Sequence, residues 1–113
     1  MRLINEITSE PKQNHTFALE DGTEIKIQFN YWENQSGWFM TFTWGEKTFS
    51  NRRIVTSPNM LRQFRDLIPF GFACIVEEKG EPIFKDDFET GRAKFYLLNS
   101  DDVQSVEDNI INV

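Results

Sequence analysis

Apolar and polar residues alternate along much of this chain, the pattern of strands buried on one face. After an Asp21-Gly22 turn signal, Ile25, Ile27, Phe29 and Tyr31 occupy every second position, with polar residues between them. That spacing sends all four side chains to one side of a pleated strand. Trp38, Met40, Phe42 and Trp44 repeat the design, and the polar run 33–37 between the two segments has hairpin length. The two segments are predicted to pair antiparallel, with Tyr31, Trp38, Phe42 and Trp44 as core aromatics. Residues 15–20 predict a preceding strand with Phe17 and Leu19 inward, and Pro11 separates it from a short first strand over 2–7. Residues 47–55 predict a less regular strand, interrupted by Asn51-Arg52-Arg53.

The second half changes rhythm. Ser57-Pro58 reads as a helix start, and Met60, Leu61, Phe64 and Leu67 fall at helical spacing, so a short helix is expected over 58–67, ended by Pro69. The apolar run 70–76 suits a central strand, and 77–81 a charged turn around Gly80. Residues 82–90 predict an irregular connection pinned by Phe84 and Phe88. A last strand follows over 92–98, with Ala93, Phe95 and Leu97 on one face. Ser100-Asp101-Asp102 resembles a helix N-terminus, its carboxylates placed to favour the dipole. Val103, Val106 and Ile110 continue at helical spacing. The expected organisation is one β-rich domain over 1–102 and an acidic C-terminal tail over 103–113, helical or disordered. The expected fold is mainly β, a small antiparallel barrel or a sandwich with one or two short helices.

Composition narrows the function classes. The 113 residues make one ordinary domain, and 11 Phe with 3 Trp supply ample apolar area for a core. No apolar run reaches the ~20 residues of a membrane helix, and no secretory signal is expected from the polar-interrupted start. The net charge of -6 opposes phosphate backbones and anionic lipid, so neither membrane nor nucleic acid is an expected partner. One cysteine fits a reducing compartment, and one histidine cannot build a multi-histidine metal site, so no metal or cofactor is expected.

Catalytic candidates are few. Cys74 lies in Gly-Phe-Ala-Cys-Ile-Val, the setting of a buried small hydrophobe, and a dyad with His15 has no electropositive neighbourhood in sequence to support it. The pairs Glu77-Glu78 and Asp86-Asp87 match no calcium-loop spacing and read as solvated charge. Arg52, Arg53, Arg62 and Arg65 form a basic cluster near several aromatics. On a small β-barrel that combination is compatible with single-stranded nucleic acid, which makes an oligonucleotide-binding barrel the alternative reading. A small intracellular ligand-binding protein is a third. In an acidic chain the cluster also suits an acidic protein neighbour. Phe39 lies on the otherwise polar face of its strand, a ring available to a partner. These five residues are the interface candidates.

The order of motifs adds a resemblance. Pro11-x-Gln13 leads to a strand with Leu19, then Gly22, a strand ending Asn30-Tyr31, a polar loop and Trp38. Asn59-x-Leu61, Gly71-Phe72-Ala73-Cys74-Ile75, Pro82, Asp86-x-Phe88 and Phe95-Tyr96-Leu97-Leu98 follow. From about Pro11 to Asp102 this succession resembles the small plug proteins of contractile-tailed phage baseplates, best known from a cyanophage. The resemblance implies a non-enzymatic structural part on the tail axis, in the virion, assembled in the host bacterial cytoplasm. It implies contacts with hub, tube or spike proteins and a homo-oligomer, a trimer or hexamer. It departs at Asn51-Arg52-Arg53, where this family would be expected to carry glycine.

Overall fold

The computed structural model describes residues 1–77 and 80–111. Glu78 of the Glu77-Glu78 pair, the side chain of Ile110 and residues 112–113 of the tail lie outside the described residues. Two antiparallel sheets face each other in a sandwich and do not close into a barrel.

The first sheet is a meander in which each strand pairs with the next, β2 (Lys12–Ala18), β3 (Glu24–Trp32), β4 (Gly37–Trp44) and β5 (Lys47–Arg53). The alternation fixes its register: Ile25 pairs with Trp44, Ile27 with Phe42 and Phe29 with Met40, so the apolar set of both strands shares one face. Ile25, Ile27, Phe29, Trp38, Met40 and Phe42 are all buried. A β-bulge on the β4–β5 pair falls between Met40 and Phe42. Opposite it, Asn51 takes a positive φ of 49° and donates its N–H to Thr41 Oγ1 at 3.0 Å. This left-handed conformation is one that glycine accepts freely and asparagine tolerates. It gives a physical reason for the departure from glycine at that point.

The second sheet has the order β1 (Arg2–Ile4), β7 (Ala93–Leu98), β6 (Gly71–Val76). The strand at Gly71–Val76 is thus not central, as its apolar run predicts, but an edge strand; β7 is central. The run is apolar because β6 is covered on both sides as far as Cys74, beyond which Ile75 is exposed. Phe72, Cys74 and Val76 join the main core, while Ala73 packs with Leu98 and Val103 beneath the C-terminal helix.

The expected helix over 58–67 does not form. Ser57 instead bridges β6, exchanging backbone hydrogen bonds with Cys74, and Met60 N–H donates to the Phe72 carbonyl. Only a 3₁₀ turn at Arg62–Phe64 remains of the helical spacing. Asn59, buried, accepts the Leu61 N–H at 3.0 Å, so its side chain replaces the backbone partner a helix would supply. A short helix α1 (Asp87–Thr90) precedes β7, and α2 (Ser100–Ile111) closes the described chain. The α2 cap is Asn99, one residue before the expected start. Asn99 Oδ1 accepts the Asp102 N–H at 2.8 Å, and Asp102 Oδ2 accepts the Asn99 N–H at 3.1 Å, a reciprocal cap. Val103 and Val106 on α2 pack against the outer face of the second sheet at Ala73, Tyr96 and Leu98.

Candidate protein-interaction surface

The four arginines separate into two settings. Arg53, on the outer face of the first sheet, lies over the Phe39 ring at 5.4 Å from its centroid. Its guanidinium donates to the Gln35 carbonyl at 3.4 Å and to that of Ser36 at 3.2 Å. Those carbonyls belong to the turn before β4, and Gly37 provides the room: a Cβ there would stand 2.6 Å from the guanidinium. Phe39 is half-buried under this cation rather than bare. The arrangement is a cation–π contact that also satisfies a turn.

Arg52 points to the other side of β5 and covers Phe64 at 4.7 Å. Phe64 packs on Phe49, and Phe49 stacks on buried Phe42. Beside it, Arg62 and Arg65 converge on Glu107 of α2. Arg62 Nε and Nη2 donate to the two carboxylate oxygens at 2.9 and 3.2 Å, and Arg65 Nε lies 3.3 Å from Oε1. Glu107 is buried in this fork, while the arginine side chains stay 46% and 42% exposed. The hydrogen bond from Arg62 holds the Glu107 carboxyl below its ordinary pKa. All four guanidiniums are therefore held in place by the fold, and each keeps surface for a further contact.

The core aromatics divide similarly. Trp38 and Phe42 are fully buried, whereas Tyr31 and Trp44 are half-buried at the rim. Tyr31 Oη donates to the Ile83 carbonyl at 2.7 Å and Trp38 Nε1 to that of Phe84 at 3.1 Å. These bonds pin the connection before α1 through its backbone. Phe88 packs on the core as expected, but the Phe84 ring is 53% exposed, with Arg92 over it at 5.2 Å. Trp32, next to Tyr31, is 48% exposed. Sequence reasoning missed both as surface rings. The rule that singles out Phe39, a large ring on the polar face of an alternating strand, also singles out Trp32.

The catalytic candidates sit apart. Cys74 is buried, and burial, followed by the charges of Glu81 and Asp87, pushes its thiol up to about 12. His15 contacts Gln13 Oε1 at 2.8 Å and neighbours Phe17 and Phe29. Asp87 is buried against the Phe84 N–H at 2.9 Å and Arg92 Nη1 at 2.8 Å, while Asp86 is exposed. Asp21, Asp102 and Glu107, the carboxyls clearly displaced among the described residues, are all displaced downward, opposite to a general acid. No group of three or more metal-ligating side chains occurs among the described residues. No described helix is long and apolar enough to cross a membrane.

No curated protein matches the chain. The family model described as "Cyanophage baseplate Pam3 plug gp18" matches residues 1–101, from β1 to the first two residues of α2, and so takes in both sheets and all four arginines. The chain belongs to the cyanophage baseplate plug family, whose place is the virion tail.

Proposed function

We propose that this protein is a non-enzymatic plug on the tail axis in the hub region, closing or organising the conduit until the tail contracts. The match to the plug family over residues 1–101 carries the reading. The plug works by self-association into a ring of three or six copies and by contact with hub, tube or spike proteins, and it assembles in the host bacterial cytoplasm. Arg52, Arg53, Arg62, Arg65 and Phe39 are the contact residues, joined by the exposed rings of Trp32 and Phe84. Support comes from their fixed setting. A guanidinium already oriented by neighbours loses less freedom on meeting a partner carboxylate than a free one.

The test is co-purification of the plug with the hub proteins of the same baseplate. Arg52→Glu with Arg53→Glu is expected to abolish capture while leaving the far-ultraviolet spectrum and melting cooperative. Capture at wild-type strength would remove these two arginines from the interface. A plug that binds no hub, tube or spike protein at all would overturn the axial reading.

A further inference from the structure

The first sheet ends in a strand whose outer backbone edge is bonded by no described residue. Backbone bonds from Tyr31 N–H to the Pro11 carbonyl and from Leu19 N–H to the Thr23 carbonyl, with the register Lys12↔Asn30 to Ala18↔Glu24, set the hydrogen-bonding phase of β2. Its odd residues exchange bonds with β3. The N–H and C=O groups of Lys12, Asn14, Thr16 and Ala18 therefore point away from the sheet, and no described residue bonds to them. Their four side chains are exposed.

The other edges are protected. β5 carries the bulge and is flanked by Phe64. β6 is bonded by Ser57 and Met60. β1 is only three residues long. β2, seven residues without proline or bulge, carries one charge, Lys12, at its end. An edge of that length and regularity is a template for another strand.

We propose that β2 pairs antiparallel with β2 of a second copy, about a twofold axis at His15, joining two four-stranded sheets into one. This register alone among the twofold ones engages all four outward residues. Asn14 meets Thr16 of the second copy and Lys12 meets Ala18, forming about eight backbone hydrogen bonds. Charge favours the same register. Ala18 pairs with Glu24 within its own sheet, so Lys12, Ala18 of the second copy and Glu24 of the second copy lie in one row. Two strand spacings, about 10 Å, separate the Lys12 and Glu24 backbones, and the small alanine lets the long side chains meet above it. Neither Lys12 nor Glu24 has an ion-pair partner among the described residues. The twofold makes the contact twice.

The inference stands on β2 and not on the plug reading. Three such pairs can build a six-membered ring, but a three-membered ring cannot contain them. The experiment is native mass by light scattering and sedimentation on the full chain over a wide concentration range. The wild type is expected to approach twice its 13.3 kDa, or a multiple of that pair. Asn14→Pro removes an outward N–H that β3 does not use, so it should leave a folded monomer. Lys12→Glu or Glu24→Lys alone should weaken pairing several-fold, and Lys12→Glu with Glu24→Lys should restore it. A monomer at every concentration, or a trimer, overturns the proposal. So does an oligomer that folded Asn14→Pro leaves intact. If Asn14→Pro does not fold, the charge swap decides, and failure of the double variant to recover overturns it.

Discussion

Asn59 and Gly71 occupy one space: a Cβ on Gly71 would collide with the Asn59 carboxamide, whose oxygen holds the Leu61 N–H. Both residues are buried, and the carboxamide cannot swing away without releasing that bond. Gly71→Ala is expected to destabilise the fold by about 1–3 kcal/mol. For a domain of this size, each kcal/mol lowers the melting temperature by about 4 °C. A thermal melt within a degree of wild type would show that the 57–61 segment gives way more easily than its hydrogen bonds indicate.

Gly37→Ala is the informative contrast. Its Cβ would also meet an atom too closely, but that atom is the far end of the Arg53 side chain. The guanidinium can move, and a strand glycine replaced by alanine gains about 0.5–1 kcal/mol of backbone entropy. Melting is expected unchanged or slightly higher, while Arg53 leaves the Gln35 and Ser36 carbonyls. Measured beside Gly71→Ala, the pair separates a rigid collision from a yielding one.

Acid should release α2 before it unfolds the sheets. The Arg62 hydrogen bond lowers the Glu107 pKa. Burial alone would raise Asp102, but hydrogen bonds from the terminal ammonium and the Asn99 N–H, with the ammonium charge, outweigh it and leave it low. A carboxyl depressed in the folded state stabilises fully above its unfolded value, about 4. That contribution is lost as pH falls through the lower folded value. Amide exchange at neutral pH and near pH 3 is expected to show residues 100–109 losing protection while β3 and β4 keep theirs. Glu107→Gln should reproduce part of the loss at neutral pH.

The Cys74 thiol should be silent in the native protein. With its pKa pushed up to about 12 and its sulfur covered, it is almost wholly protonated at pH 8. Iodoacetamide is expected to modify it only after denaturant is added, with modification following the unfolding curve by mass spectrometry. Rapid labelling of the folded chain would mean that β6 opens locally.

Asn51 tests the backbone at the bulge. Asn51→Gly should be tolerated, because glycine accepts the positive φ, whereas Asn51→Val forces a branched side chain into it at a cost of about 1–2 kcal/mol. Denaturant midpoints for the two variants should fall in that order.

The first sheet was legible because its alternation is clean. Ile25 to Tyr31 and Trp38 to Trp44 announce their buried face in the order of residues alone, and the loop between them sets the pairing. The second sheet was not. Nothing local in Arg2–Ile4 says that it pairs with Phe95–Leu97, and the apolar run at Gly71–Val76 looks the same whether neighbouring strands or a helix cover it. The helical spacing of Met60, Leu61 and Phe64 was overridden by backbone bonds to β6, a tertiary contact that periodicity does not contain. Of the candidate surface, the arginines could be named but not their partners: Glu107 lies 45 residues from Arg62. Phe84 was missed because the core reaches for its carbonyl and leaves its ring outside.

The pairing of Arg2–Ile4 with Phe95–Leu97 also dictates an order of events during synthesis. Residues 12–53 contain every hairpin of the first sheet, so that meander can form while the rest of the chain is still on the ribosome. The first strand cannot, since its partner emerges more than ninety residues later. Until then Phe29 has no Phe95 to pack against and the second sheet lacks its central strand, so the growing chain is most exposed to self-adhesion. The last strand to be made is the one that gives the first strand its place.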